Sequence, residues 1–386
     1  MDRPVVAIVR TGQRPDAARV VAATRQAITL AGGLQDLISA DALVLIKPNL
    51  VAPPPSPDAG ACTSALVCQA IADVVSEMGG RPVIAESSAR GVDTEEVMGI
   101  MGFLALREQG YEVIDLKKTS TRQVPVPHGH VLQEVTVYEL ALQADVILSV
   151  PVMKTHDQTD VTLSLKNLKG LVPDGEKRRI HQVGVFEGVS DLVSLFPATY
   201  AVVDAIIAQE GLGPVYGLPV EMGLLLVGAD LLAVDAVASR VMGFDPQEIR
   251  LLQTAAERGL GVLDPEQIEV RGERIQEVER RFMRMEEDTR LQSLKVRILH
   301  AEGTCTGCRN GVLSSLFDMM QAGTIDHARG VVLVTGGALP PEEISQGCVV
   351  PVGVCCPASL RAHPNYVKGC PPNNVDIVRA ILAAQS

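Results

Sequence analysis

The sequence predicts an α/β protein: a doubly wound, mostly parallel sheet followed by a second, smaller α/β module. Three observations lead there. Apolar runs of strand type alternate with amphipathic stretches through the first 275 residues, the pattern of helices laid on both faces of a sheet. The core must come from small aliphatic side chains, since 47% of the 386 residues are apolar, only 3% are aromatic and none is Trp. Such runs suit strands buried on both faces. Beyond a charge-dense stretch, a shorter strand–helix series resumes and carries six of the eight cysteines.

The first strand is "VVAIV" (Val5–Val9), and Asp16–Leu30 is an amphipathic helix leading to "ALVLIK" (Ala42–Lys47). A second helix spans Ser64–Gly80, with Thr63 as the expected N-cap and the Gly79-Gly80 pair as its stop. Strands follow at Arg81–Ser87, Tyr111–Leu116, Ala144–Pro151, Thr199–Ala205 and Met222–Gly228. Gln276–Ser293, dense in charge and poor in strand formers, reads as a linker or exposed helix. The last part holds "VRILHAEG", a helix at Asn310–Gln321, the strand Gly330–Gly337, a strand near "CVVPVGVC" and a helix at Val375–Ala384. The domains are therefore 1–275, a 276–293 connector and 294–386.

Charge and hydropathy narrow the function. A net charge of −12 and a pI near 5.1 argue against a nucleic-acid or anionic-membrane binder, which carries a basic balance. The longest apolar stretch, Gly217–Gly243, includes Glu221, Asp230, Asp235 and Arg240, so no membrane span is expected. The first residues lack a signal or transit pattern, which makes the cytoplasm the expected compartment. Nothing in the sequence speaks to oligomeric state.

Cys62 and Cys68 read as small core residues at a helix start. The other six cluster late, and in the absence of a secretory signal they read as metal ligands before disulfides. Cys305 and Cys308 form a C-x-x-C. Cys370 lies in G-C-P-P, and Cys355, Cys356 and Cys348 compete for a remaining ligand position. Structural zinc usually takes two such knuckles, and only the first is present here. A C-P step is familiar in iron–sulfur ligation: the glycine lets backbone approach the sulfur and the prolines fix the chain. Zinc, an iron–sulfur cluster and no metal all remain open on spacing alone.

A second constellation falls at the predicted strand ends, where open α/β sheets bind ligands. It comprises Lys47, Asn49, Glu86, Ser87, Lys154, His156 and Asp204. The window 151–181 has six Lys/Arg against four Asp/Glu within an acidic chain, which suits a small anionic ligand such as a phosphate or carboxylate. Thr162, Lys166 and Lys169 fall on one face if the segment is helical. The expected catalytic groups are Lys154, His156 and Lys166, because a lysine among cations has a lowered pKa and works as base or nucleophile. Lys47, Asn49, Ser87, Asn167, Lys169, His181, Asp204 and Glu210 are the expected binding groups. Lys177, Arg178 and Arg179 read as solvated surface. The Gly-rich "DAIIAQEGLGPVYG" is neither a dinucleotide nor a Walker loop. A flavin or other anionic cofactor is compatible with the cleft, with no motif of its own.

Two resemblances add to this. The order C-T-G-C, G-x-C, G-C-P-P resembles the cluster-binding part of nickel–iron hydrogenase small subunits and the related subunit of complex I. That resemblance implies a 4Fe–4S cluster on a flavodoxin-like module, held by Cys305, Cys308, Cys355 and Cys370, and a redox partner protein. "IKPNLV", "IAESS", "SVPVMKTH", "SLKNLKG", His181, "DAIIAQEGLGP" and "VDAVASRVMG" together resemble the domain-of-unknown-function 362 family over roughly residues 5–270. Members often carry a ferredoxin-like 4Fe–4S domain; this chain departs from them in its cluster motif. The lysine–histidine pattern is also distantly similar to nickel-dependent lactate racemases, where Lys and His position an organometallic cofactor. The function expected is an iron–sulfur oxidoreductase or electron-transfer protein acting on an anion in the Lys/His cleft. The alternatives are a racemase- or transferase-like enzyme with a structural cluster, or a non-catalytic cluster-bearing subunit of a redox complex.

Overall fold

Alternation along the strands sets the layers. On β1 (Val5–Arg10), Val6 and Ile8 enter one core while Ala7 and Val9 enter another; on β2 (Leu43–Pro48), Leu43 and Leu45 part from Val44 and Ile46 in the same way. Both faces of the sheet are thus apolar and both are covered. The computed structural model describes residues 3–196, 198–292, 296–301, 304–337 and 348–384. Ser293, Glu302 and Gly303, at the edges of segments named above, lie outside them.

The remaining strands of the large body are β3 (Arg81–Glu86), β4 (Val113–Asp115), β5 (Thr121–Pro125), β6 (Glu134–Tyr138), β7 (Val146–Val150), β8 (Val152–His156), β9 (Asp160–Thr162), β10 (Thr199–Glu210), β11 (Leu218–Gly228) and β12 (Glu269–Gly272). The main sheet runs β12-β1-β11-β10-β7-β2-β3-β4, with β8 and β9 branching from β10. Pairing is parallel from β10 through β4, and β11 is antiparallel to both its neighbours. Helices α1 (Ala17–Leu30) and α2 (Ala65–Glu77) cover one face. The other face takes α3 (Ser164–Asn167), α4 (Asp174–Val183), α5 (Val185–Ser194) and α6 (Leu231–Val241). The fold class expected for this body is the one found: a mixed α/β protein with a large, mostly parallel sheet.

Several local expectations are corrected. The expected strand 144–151 is β7, but an unexpected strand follows it directly: Pro151 has no N–H for the ladder, so β7 stops at Val150 and β8 pairs instead with β10 and β9. Ser64, not Thr63, is at the N-cap of α2; the Thr63 hydroxyl donates to the Val150 carbonyl at 2.7 Å. Thr162 to Lys169 is not one helix, since Thr162 ends β9 and Lys169 lies in a 3-10 turn after α3. The stretch from Gln276 is neither an exposed helix nor a free spacer. Val278 and Phe282 are buried in the main core, and Arg280 forms a fork with Glu210.

The smaller module has three parallel strands in the order β13 (Arg297–His300), β14 (Val331–Thr335) and β15 (Cys348–Val352). Helices α7 (Thr306–Gln321) and α8 (Asn374–Ala383) share its core through Val312, Leu316, Ile377 and Ile381, packed on Leu333 and Val350. It is joined to the large body by backbone: the Cys370 N–H donates to the His181 carbonyl at 3.2 Å, and the Val185 N–H to the Cys370 carbonyl at 2.8 Å. Among the described residues no helix is long and apolar enough to cross a membrane.

Candidate functional site

Because β2, β3 and β7 run parallel, their carboxyl ends open on one edge of the sheet, and a cavity of about 470 Å³ lies there. Its wall carries Lys47, Lys166, Lys169, Lys177, Arg90 and Arg178 against Glu86, Asp157 and Asp318, so positive charge prevails. Asp318, Ser314, Asn373, Asn374 and Val375 belong to the smaller module, which therefore completes the wall.

Two of these lysines are saturated. Lys47, fully buried, donates to the Glu86 carboxylate at 2.7 Å, the Pro48 carbonyl at 2.8 Å and Asn167 Oδ1 at 3.0 Å. Asn167 in turn donates to the Lys47 carbonyl and to Ser149 Oγ, and its Oδ1 also accepts from Asn49 Nδ2. It is a brace for Lys47 rather than a free ligand group. Gly170 leaves room for the pair: a Cβ there would stand 2.2 Å from Glu86 Oε1 and 2.7 Å from Lys47 Nζ. Lys177, expected on the surface, is buried and donates to the Ser87 carbonyl, Ser87 Oγ and the Ser88 carbonyl at 2.6–2.9 Å. Its helix turns one side of a charge run inward, while Arg178 and Arg179 stay largely in solvent.

The other two lysines are not saturated. Lys166 Nζ meets His156 Nε2 at 3.1 Å, and Lys169 Nζ bonds to His181 Nε2. Among the described residues neither has a carboxylate within ion-pair distance. Burial pulls Lys166 down to about 8 and Lys169 well below the ordinary lysine value, with neighbouring lysines adding to the shift. Burial and Lys166 likewise lower His156 to about 4, so its imidazole is neutral. His156 Nδ1 lies 2.8 Å from Asp157 and 3.0 Å from the Gln158 N–H. The two contacts call for opposite tautomers: with the hydrogen on Nδ1, toward Asp157, Nε2 is left to accept from Lys166, whereas an Nδ1 that accepts the Gln158 N–H puts the hydrogen on Nε2. Among the described residues, Asn49 Oδ1, Ser88 Oγ, Gln158 Oε1 and His181 Nδ1 are buried without partners, and all four residues line the cavity.

Three expected site residues lie elsewhere. Lys154 is in mid-strand, buried outside the cavity wall, and donates to the Ala61 and Pro214 carbonyls; burial lowers it to about 7. Asp204 accepts from the Ser64 and Ile206 amides at 2.8 and 3.0 Å, and burial raises it to about 6. Glu210 is engaged by Arg280 and the Met283 N–H. Ser87 lines the cavity, but its hydroxyl is shared by Gly170 and Lys177. The sequence reading missed Asp157, Gln158, Arg90, Asp318 and Asn374. Only Asp157 had a local signal, its place directly after His156.

The cysteines divide cleanly. Cys62 and Cys68 are buried in the core, as read. Cys356 turns its thiol to the Val352 carbonyl and Cys348 to that of Ala384, whereas Cys305, Cys370 and Cys355 all act electrostatically on Cys308. Cys305 stands at the N-terminus of α7, where the Cys308 thiol and the amides of Gly307 and Cys308 lower its pKa. Cys370 is raised to about 11 by burial and by the nearby Cys305 and Cys355. Gly353 keeps space beside Cys308, since a Cβ there would lie 2.9 Å from its sulfur. In donor type the four fit a thiolate-bound guest. Among the described residues, no three His, Cys, Asp or Glu groups stand at the spacing of ligands to a single metal ion.

Residues 44–240 match the family described as Domain of unknown function (DUF362). A curated relative, the thylakoid-associated protein sll1697 of Synechocystis sp., is 29% identical over 270 residues, which is 67% of this chain and 79% of the relative. Among solved structures, the lactate racemase apoprotein from Thermoanaerobacterium thermosaccharolyticum aligns with a TM-score of 0.38 and 12% identity, covering 88% of this chain and 72% of that one.

Proposed function

The chain belongs to the DUF362 family, and from that premise we propose that it binds a small organic anion in the strand-end cavity and exchanges electrons with it through a 4Fe–4S cluster on Cys305, Cys308, Cys355 and Cys370. One observation carries this reading: the segment Cys370–Val375 meets the cysteine group at one end and lines the cavity at the other. A guest on the thiols and a ligand in the cavity are then neighbours. The smaller module is, on this reading, a flavodoxin-like cluster carrier, which its three parallel strands between helices support. An external redox protein passes the electron. All eight cysteines are free thiols, which suits a reducing, cytoplasmic setting.

When bound, the cluster supplies one-electron chemistry. The chain's own residues do the rest. Lys166 and Lys169 take the anionic group, which restores to each the charge that burial had made costly. The neutral His156, oriented by Asp157, holds the Lys166 ammonium, a proton donor poised near neutral pH. The Asn374 side chain, donating to Asp157 and Ser314, ties the module to this relay.

Protein purified without oxygen and assayed for iron, sulfide and zinc, with EPR before and after dithionite, tests the reading. About four iron and four sulfide with a reduced-state signal are expected. Loss of iron in Cys355→Ser but not in Cys348→Ser or Cys356→Ser would place the ligands. Zinc near one per chain without sulfide would overturn it.

A further inference from the structure

We infer that the ligand of this cavity is an organic anion with a flat apolar body, an aromatic carboxylate in class, rather than a small hydrophilic acid or inorganic phosphate. The inference rests on reading the cavity as an anion site. Size is the first argument. At about 470 Å³ the cavity falls in the size range of sites that enclose whole organic ligands, well beyond what a two- or three-carbon acid fills.

The second argument is the distribution of chemistry. The cations come from 47–51, 86–90 and 166–178, whereas the β10–β11 turn lines the cavity with five consecutive uncharged residues, Leu212-Gly213-Pro214-Val215-Tyr216. Val375, at the start of α8, adds to this apolar part. Two of these side chains are left in water: Tyr216 is 42% and Val375 is 45% exposed, the levels of unfilled apolar surface. Tyr216 is held rather than loose, since its ring lies on Phe317 at 5.2 Å with a 52° tilt. A fixed, half-exposed ring next to a cation-rich wall suits a second ring with an acidic end. The four unpaired buried polar atoms of Asn49, Ser88, Gln158 and His181 add hydrogen-bonding capacity for one or two polar groups on that ligand.

The test is calorimetric titration of the full chain, purified without oxygen, with four probes: acetate, inorganic phosphate, 2-naphthoate and the neutral 2-naphthamide. The expected result is 2-naphthoate binding at least about tenfold tighter than acetate, phosphate or the amide. Tyr216→Ser and Val375→Ser, both at exposed positions, should each weaken 2-naphthoate by roughly three- to tenfold and leave acetate unchanged. If acetate and phosphate bind in a Lys169-dependent way while 2-naphthoate is no tighter, or if Tyr216→Ser does not weaken it, the aromatic class is overturned and the anion site stands. If none of the four binds, the anion site fails and the class with it.

Discussion

The cavity holds two pairs of lysines in opposite ways. Lys47, at the end of β2, has three acceptors, one of them the Glu86 carboxylate, and Lys177, on α4, is enclosed by Ser87 and Ser88. Lys166 and Lys169, among the described residues, have only imidazoles. The chain has thus satisfied the first pair and left the second short of negative charge. A buried cation with its own counter-ion serves the fold; one without it awaits a ligand.

Breaking the first pair should give the largest effect. Lys47→Met strands the buried Glu86 carboxylate and should cost about 3–5 kcal/mol in urea unfolding, with much of that recovered in the Lys47→Met/Glu86→Leu double variant. Lys169→Met should do the reverse: stability within about 1 kcal/mol of the parent or above it, but affinity for an anionic probe lower by roughly tenfold or more. Equal losses of stability at the two lysines would erase the contrast. The pH dependence sharpens it further. Lys166 titrates at about 8 in the folded chain against an ordinary 10.5, so between those values the unfolded chain binds more protons. Ligand-free stability should therefore rise with pH across that window, while anion affinity should fall as pH rises through about 8. A melting series and a titration series in the same buffers would show both slopes. The smallest effect is expected at Glu210→Gln, about 1 kcal/mol or less in stability with anion binding unchanged, since that carboxylate serves Arg280.

The sheet was legible because its strands are continuous apolar runs, and the cavity's address followed from where parallel strands end. The short hairpins β5–β6 and β8–β9 were not, since neither has an apolar run long enough to stand out from loop. Lys154 shows a different limit. It was expected just past the end of a strand, but it lies within β8, and a four-carbon stem ends where packing sends it, here on two carbonyls. Lys177 failed for the same reason in the other direction: in "EKRR" only the fold decides which of three cations turns inward. Asp204 lies on the recognised strand 199–205 and Glu210 at the unexpected far end of β10, yet both are already used by amides or Arg280. The far wall of the cavity could not be read at all, because Asn374 and Asp318 reach it only through the docking of the smaller module.

That docking has a thermodynamic corollary. Cys370 and Val375 are five positions apart, and the Asn373 side chain caps α8 between them by accepting from the Val375 N–H at 3.0 Å. Whatever fixes the thiol end of so short a segment also fixes the cavity end. Two occupants sharing it must be linked, and linkage is reciprocal: any factor by which loading the thiols tightens the anion is the factor by which the anion tightens the thiol-bound guest. On the proposed cluster reading, with loading that tightens the anion, an anion-saturated chain should need a higher chelator concentration to lose its iron at equilibrium than an anion-free one, with the cavity acting as a latch on the site beside it.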